Sequence, residues 1–203
     1  MGVPFFYLEF NMRTTKLKAV NIALQSAQIA TVESLSSGDV DAEVAEIILD
    51  ENTVEVQTRG WHWNTETMTL SPDQNGNIIL PDNFLKVDAV DRNVNVIQRG
   101  TKLYDLDNNT FVFENKVELI AVVGLEYEEL PETARRYIAY KTARIFQQRT
   151  LGEGNLNQMI TMEEQTAWGQ MLNEDIEAAD YNHITSGYNS ARTIYRRNSS
   201  IDW

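Results

Sequence analysis

The sequence predicts an α+β protein: a four-helix bundle formed by N- and C-terminal helix pairs, with an inserted antiparallel β domain. Apolar residues recur at helical spacing near both ends of the chain, whereas the middle alternates with a period of two. Turn-forming clusters such as Ser71-Pro-Asp-Gln-Asn-Gly76 punctuate the middle. We therefore expect a leader or arm over 1–12, a helical bundle domain over 13–60 and 131–180, a β domain over 61–130 and an extended C-terminal tail over 181–203.

Two helices are predicted before the β domain. The first covers about 15–30, with Thr14 as its N-cap, and its apolar residues are Leu17, Val20, Leu24 and Ala27. The second begins near Asp41, since acidic residues favour the first turns of a helix, and it ends near Gly60. The inward stripe of this second helix is predicted to be Val44, Ile47, Ile48 and Val54.

The β domain is predicted to contain several short strands joined by tight turns, which is typical of an antiparallel sheet or a small sandwich. The segments rich in β-branched and aromatic residues are Trp61–Leu70, Asn77–Pro81, Phe84–Val90, Val94–Gln98, Lys102–Asp105, Thr110–Phe113 and Lys116–Val123.

Two further helices are predicted after Leu130. Pro131 suits the first position of the third helix, which ends near Arg149. Its inward stripe is predicted to be Ala134, Ile138, Thr142, Ile145 and Phe146, and its exposed face to be the basic residues Arg135, Arg136, Lys141, Arg144 and Arg149. The last helix covers about 158–179, with Ala167, Trp168, Met171, Leu172 and Ile176 facing inward.

The charge of the chain is strongly negative but uneven. Against 17 basic residues there are 30 acidic ones, a net charge of −13. The ionisable residues from 181 onward are Arg192, Arg196, Arg197 and Asp202, a net of +2, which leaves −15 on the preceding 180 residues. A cationic tail on an anionic body predicts that the tail binds something acidic, either another copy's body or a partner protein. Most of the surface should repel a phosphate backbone, which disfavours nonspecific grip on duplex DNA.

Compartment and processing signals are few. The chain has no cysteine, which excludes disulfides and thiolate chemistry and fits a reducing compartment. Every apolar run is shorter than the ~20 residues that span a bilayer, so no membrane association is predicted. The apolar start lacks a positive region and carries Glu9, so we read it as an arm or leader rather than a signal peptide.

We find no constellation of reactive residues in the sequence. His62 lies between two tryptophans and is predicted to be a packed or surface strand residue, and His183 has no second histidine at helical spacing. A phosphate-binding glycine loop and a nucleophile elbow are both absent from the sequence. No catalytic, cofactor-binding or metal-binding residue is therefore predicted.

Three alternatives to a structural role remain open. Paired carboxylates drawn from Glu126, Glu128, Glu129, Glu163 and Glu164 could serve a polysaccharide hydrolase if two of them flanked a cleft. The chain could instead be an assembly chaperone that is absent from the finished assembly. A nucleic-acid binder, acting through the basic tail, is disfavoured by the charge.

The predicted interface combines the basic face of the third helix with the tail. Arginine, tyrosine and tryptophan are enriched where protein interfaces concentrate their binding energy. The residues predicted to form contacts between chains are Arg135, Arg136, Arg144, Arg149, Arg192, Tyr195, Arg196, Arg197 and Trp203.

Several strings, in this order and spacing, carry a family resemblance. They are the first helix followed by a Ser/Gly loop and an acidic helix ending in Arg59-Gly60-Trp61, then Leu80-Pro-Asp-Asn-Phe-Leu85, Arg99-Gly-Thr-Lys-Leu-Tyr-Asp105, Tyr127-Glu-Glu-Leu-Pro131 and Arg144-Ile-Phe-Gln-Gln-Arg149. The chain from about Met12 to Tyr181 resembles tail tubular protein A of T7-like short-tailed bacteriophages.

The resemblance implies a head-to-tail adaptor made of helices and a β domain, without catalytic residues. It implies a ring of about twelve copies between the portal protein and the tail nozzle, which is tail tubular protein B, with DNA passing through the ring. The C-terminal tail of the chain and the ends of its helices would contact the portal protein and the nozzle. The expected location is the virion tail, after synthesis in the host bacterial cytoplasm.

Overall fold

The structure, a computed structural model, describes residues 13–185, with side chains described as far as Ala178. The predicted leader and the tail from 186 onward lie outside these residues. The described chain forms two compact units, one of residues 13–56 and 126–167 and one of residues 57–125 and 168–185. We call them the helical unit and the β unit. The predicted α+β class is confirmed.

The four predicted helices are all present. They are α1 (Lys16–Ser26), α2 (Val40–Gln57), α3 (Glu132–Thr150) and α4 (Gly154–Thr185). The cap of α1 is Thr15, whose side chain accepts from the Lys18 backbone N–H at 3.2 Å, rather than the predicted Thr14. Asp39 caps α2 in the same way, with its Oδ1 2.9 Å from the Ala42 nitrogen. None of the described helices is long and apolar enough to cross a membrane.

The interior of the helical unit lies between α1 and α3. Ala19, Val20, Ala23 and Leu24 of α1 are buried, and so are the alanines of α3 together with Ile138 and Phe146. Small residues let two helices approach closely, so that a side chain of one can reach the main chain of the other. The Ser26 hydroxyl accordingly donates to the Ala143 carbonyl at 3.0 Å. Burial of the predicted α3 stripe is confirmed at Ala134, Ile138, Thr142 and Phe146, and Ile145 is half-buried.

The predicted inward stripe of α2 is wrong at three of its four positions. Val44, Ile47 and Val54 are exposed, and only Ile48 is buried. The true buried face mixes small, large apolar and polar residues, namely Ala42, Ala45, Leu49, Asn52, Thr53 and Val56. Asn52 is satisfied there, because its amide donates to the Thr142 hydroxyl at 3.0 Å. Hydropathy therefore pointed to the wrong side of this helix.

The last helix also departs from its prediction. It begins at Gly154 rather than near 158, and it continues to Thr185, beyond the predicted end near Ala179. Ala167 and Met171 are buried as predicted, and Trp168 and Leu172 are half-buried, but Ile176 is exposed. The first residues of the predicted tail are thus helical.

Two antiparallel sheets form the β unit. The first has strand order β1 (Thr65–Leu70), β5 (Val117–Val123), β2 (Phe84–Ala89), and the second pairs β3 (Val96–Arg99) with β4 (Lys102–Asp105). In the register of the first sheet, Ala121 of the central strand lies opposite Glu66 on one side and Val87 on the other. The buried residues of this unit include Ile78, Leu80, Phe84, Val87, Leu103, Phe113, Leu119, Ala121 and Val123.

Three of the predicted strands differ from the structure. Residues 61–64 form a turn before β1, so His62 does not lie in a strand. Segments 77–81 and 110–113 form only isolated bridges, such as Asn77 to Val112. The turn at 61–64 is built around buried Asn64, whose amide donates to the carbonyls of Gln57 and Val123 at 3.0 and 3.1 Å. Its oxygen accepts from the Trp61 backbone N–H at 2.8 Å, so all of these polar groups are satisfied without a strand ladder.

Candidate interaction surfaces

Arg135 is not on an exposed face, contrary to the prediction. Its side chain is only 2% exposed. The Nε–H donates to the Leu130 carbonyl at 2.8 Å, and the guanidinium also bonds to the carboxylate of Glu128, at 3.1 Å, and to its main-chain carbonyl. Tyr127, itself buried, donates its hydroxyl to the Arg135 carbonyl at 3.1 Å. Arg135 therefore fixes the segment before α3 to the first turn of that helix.

Two more of the predicted basic residues are paired inside the helical unit. Lys141 is buried, against prediction, and its ammonium lies 2.7 Å from the carboxylate of Glu55 on α2. Arg144 is partly buried and bonds to the carboxylate of Glu164 on α4. The hydrogen bond from Glu164 raises the pKa of the Arg144 guanidinium above its usual value. These pairs link α3 to its neighbours and account for most of the predicted basic face.

The remaining basic residues of α3 are Arg136 and Arg149. Both are exposed, and neither forms an ion pair with another residue in the described part of the chain. They stay predicted interface residues. The other predicted contacts lie outside the described residues: Arg192, Tyr195, Arg196, Arg197 and Trp203.

The start of α1 is held by carboxylates from far along the chain. Glu132 accepts from the backbone N–H of Thr14 at 2.9 Å and from its hydroxyl at 2.5 Å. Glu128 accepts from the backbone N–H of Lys16 at 2.9 Å with the oxygen that does not contact Arg135. Carboxylates at a helix N-terminus satisfy its free N–H groups and interact favourably with the helix dipole.

The side chain of Lys16 joins α1 to α2. Its ammonium lies 2.9 Å from both Glu46 and Asp50. Burial disfavours the charged lysine, but the hydrogen bonds to the two carboxylates outweigh it and raise the pKa of Lys16 above its usual value. Exposed pairs of this kind stabilise a fold only weakly.

Three of the five carboxylates weighed as a hydrolase pair have structural partners. Glu128 bonds to Arg135 and to the Lys16 backbone, and Glu164 bonds to Arg144. Glu129 accepts from the Glu126 backbone N–H at 3.1 Å, within the single 3-10 turn before α3. Among the described residues, no group of three or more histidines and carboxylates could hold a metal ion.

The outward side of α2 is apolar, a feature that the sequence prediction assigned to the core. Val40, Val44, Ile47 and Val54 are between 42% and 70% exposed. Their spacing of four, three and seven residues places them in one stripe along the helix, and Glu51 falls on the same stripe. Glu43 borders it. We call these six residues the outer face of α2.

The β unit has an aromatic cluster that sequence reasoning did not identify. The Arg59 guanidinium carbon lies 5.0 Å from the ring centroids of both Trp61 and Trp168, within the range of a cation–π interaction. Trp63 stacks on Trp61 with centroids 6.3 Å apart. Beside them, the Asp175 carboxylate accepts from the backbone N–H of His62 at 2.9 Å and lies 2.8 Å from its Nδ1. The run Arg-Gly-Trp-His-Trp was the available signal, but the part of α4 that completes the cluster is distant in sequence.

The chain is similar to known proteins over most of its length. The family model for tail tubular proteins matches residues 17–181. Tail tubular protein A of Klebsiella phage KP34 is 28% identical over 141 residues, which cover 69% of this chain and 76% of that protein. The family match covers the helical unit, the β unit and nearly all of the described part of α4. The chain therefore belongs to the tail tubular protein family and is a structural subunit of a bacteriophage tail.

Proposed function

We propose that the chain forms a closed ring of about twelve copies that joins the portal protein to the tail nozzle and lets DNA pass through. The nozzle component would be tail tubular protein B, and the ring would be assembled in the bacterial cytoplasm as part of the virion. Membership of the tail tubular protein family and the exposed apolar outer face of α2 support this assignment.

The outer face is the observation that carries the proposal. The same helix already buries its opposite side, where Ile48 and Leu49 lie, so the outer face is an additional apolar surface. A surface helix of a monomer has one apolar side, and a second one marks a contact with another chain. A structural subunit that repeats around a ring needs such contacts on every copy.

The charge of the chain supports a conduit for DNA. A wall that bound phosphate tightly would hold the genome through the release of many counterions. With a net charge of −13, the chain supplies few cations for such binding. DNA would then slide past an acidic lining without being gripped.

Two finer assignments belong to the same proposal. The four helices would form one bundle (13–60 and 131–180) from which the β domain (61–130) stands as an insertion. Arg136 and Arg149, which are exposed on α3, would meet acidic groups of neighbouring copies or of the portal.

Electron micrographs of the purified chain, with and without its portal protein, test the proposal. We expect end-on views of rings with the symmetry of the portal, seated on the portal. Rings would form on the portal as a template, because ordering many copies has an entropic cost. Single copies scattered on the portal, or absence of the chain from mature virions, would contradict the assignment.

A further inference from the structure

We propose that the outer face of α2 is the binding site for the basic C-terminal segment, residues 186–203, of a neighbouring copy. The inference rests on the proposed ring and adds the residues that would join one subunit to the next. The chemistry of the two surfaces supports it.

The outer face offers both apolar contact and negative charge. Val40, Val44, Ile47 and Val54 are exposed along it, and Glu43 and Glu51 lie among them. The whole of α2 contains six acidic residues and no basic one, namely Asp41, Glu43, Glu46, Asp50, Glu51 and Glu55. Lys16 and Lys141 engage Glu46, Asp50 and Glu55, all outside the face. The acidic residues of the face itself, Glu43 and Glu51, form no ion pair with any residue that the structure describes.

The C-terminal segment has the complementary composition. Its charged residues are Arg192, Arg196, Arg197 and Asp202, and its apolar and aromatic residues are Tyr188, Ile194, Tyr195, Ile201 and Trp203. Alternating aromatic and arginine side chains suit a surface that alternates valine or isoleucine with glutamate. Within a chain of net charge −13, this segment carries a net charge of +2.

The lengths of the two partners are compatible. From Val40 to Val54 the helix rises about 1.5 Å per residue, so the stripe is about 21 Å long. An extended segment reaches at most about 3.3–3.6 Å per residue, so the residues from 186 to 203 can cover the stripe with several to spare.

A contact between a segment and a helix face also has the right symmetry. Because donor and acceptor are different surfaces, the contact is head-to-tail, and its repetition closes into a ring when the rotation per copy divides the circle. A face that contacted its own copy in the partner would instead stop at a dimer.

The absence of cysteine makes a direct test possible. One chain would carry Ile47→Cys and a second chain, lengthened by an affinity tag so that the heterodimer differs in size from either homodimer, would carry Tyr195→Cys. The two would be mixed at equal concentration with the portal protein under mild oxidation. We expect a disulfide-linked heterodimer on a non-reducing gel. A Gln148→Cys chain, altered at an exposed residue of α3, is the matched control and should give several-fold less heterodimer with the Tyr195→Cys chain.

Charge reversal tests the electrostatic part. Adding Arg196→Glu and Arg197→Glu to the Tyr195→Cys chain should lower the heterodimer yield several-fold. Adding Glu43→Arg and Glu51→Arg to the Ile47→Cys chain should then recover much of it. A yield unaffected by either reversal would overturn the assignment of the charges.

Two results would overturn the contact itself. One is equal cross-linking by the Ile47→Cys and Gln148→Cys chains. The other is protection of the Ile47→Cys thiol from maleimide when only the portal protein is added. If Arg196→Glu and Arg197→Glu did not reduce that protection, the portal would be the occupant of this face. Rings on the portal are scored separately. Rings without the cross-link would support the proposed function and reject this contact. The cross-link without rings would support the contact and reject the proposed function.

Discussion

Arg135 binds Glu128 twice, through the carboxylate and through the main-chain carbonyl. The two residues are seven positions apart, and Pro131 lies between them at the start of α3. Because the second oxygen of Glu128 accepts from the Lys16 backbone, one buried arginine also orients a carboxylate that supports α1. A residue that the sequence placed at an interface thus belongs to the interior of the subunit.

Replacement of Arg135 should therefore destabilise the chain rather than its assembly. Arg135→Ala leaves the carbonyls of Leu130 and Glu128 without their donors, and we expect a loss of about 2–3 kcal/mol in the free energy of unfolding. Urea unfolding followed by circular dichroism measures it. The exposed neighbour Arg136 is the matched control, and Arg136→Ala should change stability by less than about 0.5 kcal/mol. Equal effects at the two positions would contradict the buried network.

Assembly should depend on the other two basic residues of α3. Arg136→Glu combined with Arg149→Glu should leave the unfolding midpoint unchanged, because neither side chain has an ion-pair partner among the described residues. The same pair of changes should reduce ring formation on the portal, which counts of rings in micrographs would measure. Wild-type ring counts would remove these two residues from the interface.

Tyr127 should make stability fall at alkaline pH. Burial raises the pKa of its phenol well above the usual value, so the unfolded chain ionises at about pH 10 while the folded chain does not. The stabilisation is complete below pH 10 and is lost as pH rises towards the folded-state pKa, by up to about 1.4 kcal/mol per pH unit.

The measurement compares wild type with Tyr127→Phe in urea at pH 8 to 11. At pH 8 the variant should be less stable by about 1 kcal/mol, because the hydrogen bond to the Arg135 carbonyl is lost. Above pH 10 the difference should shrink, and a constant difference across this range would show that Tyr127 ionises alike in both states.

Any side chain at Gly76 should lower the stability of the protein. Its φ is +81°, and a Cβ there would lie 2.7 Å from Cγ1 of Val112. Gly76→Ala should cost about 1–3 kcal/mol, from backbone strain and the clash together. Gly100 also has a positive φ, +63°, but open space around it, so Gly100→Ala isolates the backbone contribution. Thermal unfolding of both variants should rank Gly76→Ala as the less stable, and the reverse order would contradict the close packing of Val112.

Sequence-based prediction located the helices but oriented one of them wrongly, and both outcomes have physical reasons. Helical periodicity located all four helices, and in α1 and α3 the apolar residues that recur at helical spacing are mostly buried. It failed on α2, because the exposed stripe of Val44, Ile47 and Val54 is more hydrophobic than the buried one. A helix with two apolar sides cannot be oriented from hydropathy alone.

The interface residues were harder to predict for a different reason. Arg135, Lys141 and Arg144 recur at helical spacing and look like a solvated basic face, but each finds a partner in another element. The partner of Arg144, Glu164, is 20 residues away in sequence. The partner of Lys141, Glu55, precedes the strands of the β unit in the sequence, whereas Lys141 follows them. Charge pairing over such separations leaves no local sequence pattern. Only the folded structure distinguishes the paired basic residues of α3 from the exposed Arg136 and Arg149.

The bonds from Thr14 to Glu132 connect residues 118 positions apart. During synthesis at about 5–20 residues per second, α1 therefore waits roughly 6–24 s before its partner residue is made. In that interval most of the β unit emerges, but its three-stranded sheet waits for the late central strand β5, and only β3 and β4 pair as neighbours in sequence. The apolar side of α1 stays uncovered meanwhile. Each copy thus spends its first seconds with the apolar side of α1 exposed to solvent. A high local concentration of nascent copies at that stage favours misassembly over correct folding.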